Sequence, residues 1–347
     1  MTPGHAERVK SAIARRARTR VQKVSARLSN ARRPVILMYH RIAKETFDPW
    51  GLAVAPDRFA GQLAWLAKHR TLLPLSEFAE LQRLGTLPGD AVAVTFDDGY
   101  ACTASVAASL LERYGVPATI FIPADMIGGT RLFWWDELAQ IVIAHSAPTL
   151  RAMNRSFELG DKHDRDAVWP RDNRKRTPRQ KSFHALWAEL QPLPPDAIDR
   201  ALAELRLQHP VTSDNGSHRL ITERELRSIR SDRIQFGSHA LTHTSLPSLT
   251  SAEKAREIRD SVAACEELTG TRPTTFAYPF GDLDRECQEL VAEAGFACAC
   301  GVQPRAVATN DDLFALPRIK VENWSWRELR QRLADVSYEA DKAQLSA

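Results

Sequence analysis

Two continuous apolar runs set the frame for this chain, PVILMYH (34–40) and AVAVTF (91–96). Each lacks polar alternation and stops at a polar side chain, the pattern of a strand buried on both faces. Such strands belong to parallel sheets, whose crossover helices cover both sides. The segment between them meets that requirement. APDRFAGQLAWLAKHR (55–70) carries Phe59, Leu63 and Leu66 at helical spacing, with Asp57 placed to cap its start. Past Gly99, SVAASLLERYGVP (105–117) reads as a helix stopped by Gly115 and Pro117, and ATIFI (118–122) as the next strand. The alternation predicts an α/β fold with a parallel sheet, open or closed into a barrel.

From about Gly128 to Leu220 this rhythm stops. Helical patterns in WWDELAQIVIA, FHALWAEL and DAIDRALAELRL follow one another without a strand pattern, interrupted by the basic stretch RDNRKRTPRQK (171–181) and by QPLPP. The segment reads as a helical insertion with one side available to cover a site. Its basic stretch reads as a solvated loop. Alternation resumes with ITERELRSI (221–229), where Thr222 and Glu225 have the capping-box spacing. RIQFGSH (233–239), a helix over roughly 251–268 closed by Gly270, TTFAYPFG (274–281), a helix across 284–294, FACAC and LFALPRIKV (313–321) complete the series. About seven strands are expected.

Charge is concentrated at one end. Residues 1–33 hold ten Lys or Arg against one Glu, a local +9, so the remaining chain sums to −5 within a total of +4. Val9, Ile13, Ala17, Val21, Val24 and Leu28 form a thin helical stripe in this arm. That pattern fits peripheral contact with an anionic membrane or a partner, and equally a solvated arm. Without interleaved aromatic residues it is a poor nucleic-acid ligand. No apolar run has the roughly 18–20 residues of a membrane-spanning helix, and no apolar leader follows the charged start. The expected location is cytoplasmic, with peripheral association at the inner face of the membrane as one reading of the arm. The five cysteines, with no CxxC pair, read as reduced structural thiols.

Chemistry gathers where predicted strands end. Asp97-Asp98-Gly99 follows the second, His239 and His243 the fourth, and Tyr278-Pro279-Phe280-Gly281 the fifth. In parallel α/β folds these carboxyl ends share one face. Asp98, His239 and His243 would then form a two-histidine, one-carboxylate metal site with open positions. A bound cation would also relieve the repulsion between adjacent carboxylates and leave the second free as a general base. The plainer alternative is a helix cap at the Asp pair and a surface helix carrying HxxxH.

TFDDGY, GSHALTH and FAYPFG, in this order, resemble the metal-dependent polysaccharide deacetylases, the NodB-homology group of carbohydrate esterases. The resemblance covers about residues 34–325 and implies a distorted (β/α)7 barrel. It divides the chain into an arm at 1–33, a barrel at 34–335 with its insertion at about 128–220, and a tail at 336–347. It implies Asp97 as base and Asp98, His239 and His243 as ligands of a divalent metal, usually zinc, with cobalt, manganese and iron as alternatives. ILMYHRI resembles a subgroup whose catalytic acid lies on the first strand, which makes His40 the candidate acid; a structural histidine is its other reading. Where many members have an Arg that orients the base, this chain has Ala277, and Arg318 in LPRI is the candidate replacement. Pro279 and Phe280 match the motif, so the Phe280 backbone N–H is the implied oxyanion donor. The implied reaction removes an N-acetyl or other N-acyl group from an amino sugar of a polysaccharide, oligosaccharide or glycolipid. The alternatives are a deformylase or amidohydrolase on a lipid-linked or small acylated sugar, and a catalytically weak carbohydrate-binding relative. Phe133, Trp134, Trp135, Trp324 and Trp326 are candidates for stacking on sugar faces, or for core packing.

Overall fold

The computed structural model describes residues 32–129, 132–170, 172–209, 216–229 and 231–344, with side chains as far as Ser337. The arm assigned to 1–33, and the membrane contact expected of it, lie outside the described residues apart from Arg32 and Arg33. Among the described residues no helix is long and apolar enough to cross a membrane.

β1 (Val35–Tyr39) is buried along its whole length. The short parallel pair β2 (Arg41–Ile42) and β3 (Ala53–Val54) precedes α1 (Pro56–His69). Ala55, not Asp57, holds the cap position of α1. Pro56 takes the first helical place, where its fixed φ and missing N–H suit the helix, and Asp57 falls in the first turn. β4 (Thr71–Leu72), α2 (Leu75–Arg83), β5 (Ala91–Phe96), α3 (Ala108–Tyr114) and β6 (Ala118–Ile122) follow. Gly115 ends α3 at φ 64°, a left-handed cap that suits a residue without Cβ.

The insertion contains α4 (Trp134–Ala144), the antiparallel hairpin β7 (Thr149–Ala152) and β8 (Arg155–Glu158), α5 (Pro178–Leu190) and α6 (Pro195–Gln208). The expectation of a strand-free segment is corrected by this hairpin. Its strands are only four residues long, and its turn is Met153-Asn154, both at positive φ, in place of the Asn-Gly that signals such turns. The insertion has its own core, in which Leu138, Ile141, Phe157, Phe183, Leu186 and Leu202 are buried together. The basic stretch divides: Arg174 is exposed, whereas Arg179 is fully buried. Arg179 donates to the carbonyls of Val142 at 2.7 Å, His145 at 2.9 Å and Gly160 at 3.2 Å, and pairs with Asp166.

α7 (Glu223–Ser228), β9 (Ile234–Ser238), α8 (Ser251–Thr269), β10 (Thr275–Ala277), α9 (Arg285–Glu293), β11 (Cys298–Cys300), β12 (Ile319–Lys320) and α10 (Trp326–Gln344) complete the chain. Capping boxes open α7 at Thr222/Glu225 and α8 at Thr250/Glu253. Of the segment assigned as a tail, 336–347, the described residues 336–344 continue α10. Leu329, Leu333 and Val336, at helical spacing, hold that helix on the main core.

The main sheet has the order β11-β10-β9-β6-β5-β1-β12 and every pairing in it is parallel. β4 pairs with Ala91 and Val92 at the start of β5, while β6 pairs with residues 94–96, so the two share one edge in succession. The sheet curls until Leu316 bridges Cys300 of β11 and, three residues on, Ile319 pairs with Leu37 of β1. The strand expected over 313–321 is therefore broken at Pro317, which has no N–H to donate, as the chain passes from one neighbour to the other. The result is a distorted (β/α)7 barrel. Val35, Leu37 and Tyr39 pack outward against helices, and Ile36 packs with Ala93, Phe121, Ala277 and Cys300 on the opposite side. All carboxyl ends lie on one face.

Candidate active site

Parallel pairing brings to that face the residues just beyond β1, β5, β9 and β10: His40, Asp97 and Asp98, His239, and the turn holding Phe280. Three atoms look at one another there. Asp98 Oδ1 lies 3.1 Å from His243 Nε2 and 3.5 Å from His239 Nε2. The three ligand-capable atoms fall within 4.8 Å of each other, and all three residues are buried.

The loops reach this arrangement by unusual backbone. Among the described residues, six other than glycine have positive φ. Two are the hairpin turn; the remaining four are Asp98 at 74°, Ala240 at 60°, His243 at 58° and Phe280 at 59°. Each costs an L-residue about 1–2 kcal/mol. Their concentration around one point is the mark of a functional site that the surrounding packing holds in place.

The adjacent carboxylates are reconciled by separate partners. Asp97 is gripped by Arg318, whose Nη1 and Nη2 donate to its two oxygens at 2.7 Å each. Arg318 is itself fixed by its Nε donating to the Gly301 carbonyl at 2.9 Å. Burial pushes the Asp97 carboxyl up, but the Arg318 guanidinium outweighs it and holds Asp97 below the usual carboxylate range. Burial also pushes Asp98 up, and the imidazoles of His239 and His243 beside it overcome that, leaving the carboxyl well below its ordinary value.

The donor set fits a divalent cation by its own chemistry. His239 Nδ1 donates to the Ala277 carbonyl at 2.7 Å, which fixes the tautomer and aims Nε2 at Asp98. The His243 ring is wedged between Trp135, with centroids 4.8 Å apart, and Phe280, at 4.7 Å. Burial lowers the pKa of His243 and favours the neutral, ligand-competent ring. One carboxylate and two imidazoles, gathered by packing, leave positions open for water and substrate.

His40 lines the same cavity of about 580 Å³, together with Asp97, Asp98, His239, His243 and Phe280. Its Nδ1 has no hydrogen-bond partner among the described residues. Burial lowers its pKa, against the pull of Asp98 and Asp97. The Phe280 N–H makes no hydrogen bond among the described residues. Trp135 lines this cavity, whereas Phe133 and Trp134 line a neighbouring one. Trp324 and Trp326 belong elsewhere: Trp324 packs on the main core and Trp326 lies against Gly61.

Several cavity residues had no signal in the sequence. Trp50, from the loop between β2 and β3, and Trp187, from α5, stand 4.3 Å apart at its edge, joined by Lys320 of β12. Nothing in their local pattern separates them from core tryptophans. Behind Trp135, a buried polar group ties barrel to insertion. Tyr100 Oη donates to Asp136 at 2.7 Å, and His218 Nδ1 meets the other Asp136 oxygen at 2.7 Å. Arg41 Nη1 approaches the same carboxylate at 3.5 Å. Burial lowers the pKa of His218, but bonds to Asp136 and Glu45 prevail and raise it to about 9.

Comparison with known proteins follows the same outline. A family model described as polysaccharide deacetylase matches residues 85–147 and 207–299, with most of the insertion falling between the two matches. The chain is similar to the putative polysaccharide deacetylase YxkH of Bacillus subtilis, at 21% identity over 288 residues, which cover 82% of this chain and 70% of that protein. It is also similar to the poly-β-1,6-N-acetyl-D-glucosamine N-deacetylase of Staphylococcus aureus, at 30% identity over 105 residues, 26% of this chain and 36% of that protein. Among solved structures, the Streptococcus pyogenes deacetylase PplD in complex with acetate superposes with a TM-score of 0.55 at 17% identity, covering 86% of this chain and 97% of that one. IcaB from Ammonifex degensii does so with a TM-score of 0.54 at 17% identity, covering 87% and 97%. At these identities the structural likeness speaks for the fold alone.

Proposed function

The chain belongs to the polysaccharide deacetylase family, and from that premise we propose that it is a metal-dependent hydrolase removing an N-acetyl group from an amino sugar of a polysaccharide. The observation that carries this reading is the buried cluster of Asp98, His239 and His243 beside Asp97, all four lining one cavity, with Asp97 held from behind by Arg318. The staphylococcal relative's name, an N-deacetylase of a glucosamine polymer, supports the substrate class.

Asp98, His239 and His243 are the proposed ligands of the cation, zinc by preference. When bound, such an ion supplies Lewis acidity at the scissile carbonyl and lowers the pKa of its water toward ~7. Asp97 is the proposed base. The Arg318 fork occupies two of its roughly four lone-pair sites, leaving the others to accept a proton from the attacking water. The Phe280 N–H is the proposed donor to the developing oxyanion, an interaction worth about 2.7–4 kcal/mol in other oxyanion holes. His40 is the proposed acid for the departing amine. Its position in the cavity with an unpartnered Nδ1 is what supports that role. Trp50, Trp135 and Trp187 offer apolar faces against which sugar rings can lie.

The test is acetate release from a panel of N-acetylated glycans, with and without a chelator. Release that stops on chelation and returns with zinc supports the proposal. Specific glycan binding by the zinc-loaded protein without any release would point to the carbohydrate-binding alternative.

A further inference from the structure

A second cavity, of about 300 Å³, adjoins the catalytic one. Trp135, Gln191, His243 and Phe280 line both. Its far side is supplied by the insertion, through Leu132, Phe133, Trp134, Leu193, Ile198 and Leu202. Of the polar groups around it, Thr242 Oγ1 donates to Glu257 at 2.8 Å and Ser245 Oγ to Asp282 at 2.7 Å on the barrel side, Glu137 of the insertion holds Arg206, and the Asp125 side chain is exposed to solvent. What remains toward the cavity is mostly apolar, as in a site for a hydrocarbon group with few orienting contacts.

We propose that this cavity receives the hydrocarbon tail of the substrate's N-acyl group, so that the enzyme favours acyl groups longer than acetyl. The inference rests on the deacylase reading and deepens it. In that reading the scissile carbonyl lies between the Asp98–His239–His243 cluster and the Phe280 N–H. One substituent of the carbonyl carbon is nitrogen, which leads to the sugar and needs the larger cavity with its tryptophans. The other is the acyl chain. His243 and Phe280, which flank the carbonyl, also form the wall of the second cavity, so the tail meets that wall before any other part of the substrate does. The Trp135 and Phe280 rings, which line both spaces, meet edge to face with centroids 5.4 Å apart. The chemistry is unchanged: the carbon–nitrogen bond breaks, a carbon–oxygen bond forms from water, and the amine leaves protonated beside a carboxylate of greater length.

The experiment compares kcat/KM for N-hexanoyl- and N-acetylglucosamine oligomers in the zinc-loaded wild type and in Leu193→Trp and Ile198→Ala. Burying a methylene is worth about fourfold, so the hexanoyl substrate is expected to lead by at least tenfold. Leu193→Trp, which narrows the cavity, should lower the hexanoyl-to-acetyl ratio at least tenfold, and Ile198→Ala should shift the preference toward still longer chains. A wild type that prefers acetyl, or a ratio that Leu193→Trp leaves in place, overturns the proposal while leaving the deacetylase reading intact. If neither substrate is cleaved, the deacylase reading has failed, and binding of N-hexanoyl- against N-acetylglucosamine, followed by tryptophan fluorescence, decides the cavity separately. Tighter hexanoyl binding that Leu193→Trp abolishes supports it, and equal binding overturns it.

Discussion

Arg318 is fully buried and Asp97 is 3% exposed, with both guanidinium nitrogens at 2.7 Å from the carboxylate. Replacing Arg318 by Met keeps most of the volume but leaves a buried carboxylate without its compensating charge. Breaking one side of such a pair costs about 3–5 kcal/mol. With an unfolding entropy of roughly 2.1 cal/mol/K per residue over 347 residues, that loss lowers Tm by about 4–7 °C. The assay is urea and thermal unfolding in the presence of chelator, so that ion binding does not mask the change. The decisive comparison is the double variant. With Asp97→Leu added, no charge remains to be compensated, and the double variant should be about 2–3 kcal/mol more stable than the two single losses predict when added. Arg318→Lys, which keeps the charge without the fork, should recover part of the stability and little of the turnover. A loss below about 1 kcal/mol in Arg318→Met, additive with Asp97→Leu, would show that this pair does not hold Asp97 and would remove Arg318 from the site.

Chelation should abolish acetate release and zinc should restore it. At a hundredfold excess over its Kd zinc should add about 2.7 kcal/mol of stability to the wild type and far less to His243→Ala; an equal gain in both would remove His243 from the ligand set. His40→Ala should keep its metal, measured by elemental analysis, while kcat falls ~10²–10⁴-fold; wild-type turnover would exclude His40 as the acid. His218 has its pKa raised from 6.5 to about 9, chiefly by Asp136 and Glu45 against burial. A raised value means that its contribution is complete below pH 6.5 and disappears as pH climbs through 9. The loss is at most about 3 kcal/mol and smaller after solvent screening. Thermal scans between pH 6.5 and 9.5 should therefore slope downward, and His218→Gln should flatten them; parallel slopes would contradict the assignment.

The barrel was legible because its strands are apolar on both faces. The seven runs beginning at 34, 91, 118, 233, 274, 296 and 313 supply the seven positions of the main sheet order, and the polar residues that end them supply the site. Asp98, His239 and His243 could be grouped from 145 residues apart because parallel pairing leaves strand ends only one face on which to meet. β4 escaped because two residues carry no periodicity, and the β7–β8 hairpin because its turn lacks glycine. Asp57 was misplaced by one rule and explained by another, since Pro56 determines where the helix starts. Trp50 and Trp187 could not be placed on the cavity in advance. Their neighbours come from a loop and an inserted helix, and the docking of an insertion is set by tertiary contacts that leave no local pattern.

The insertion's private core leaves the division of labour in this protein open to change. Its helices are organised around Phe183, Leu186 and Arg179, and among their polar links to the barrel are Gln191 to Asp282 and Asp136 to Tyr100. Phe47 and Trp50 of the barrel pack on the edge of this core, so exchanges on α5 and α6 that spare those contacts leave the loops carrying Asp98 and His243 with their own sequence. A designer, or a diverging lineage, can redraw the lining that selects a molecule and still inherit an intact cutting edge.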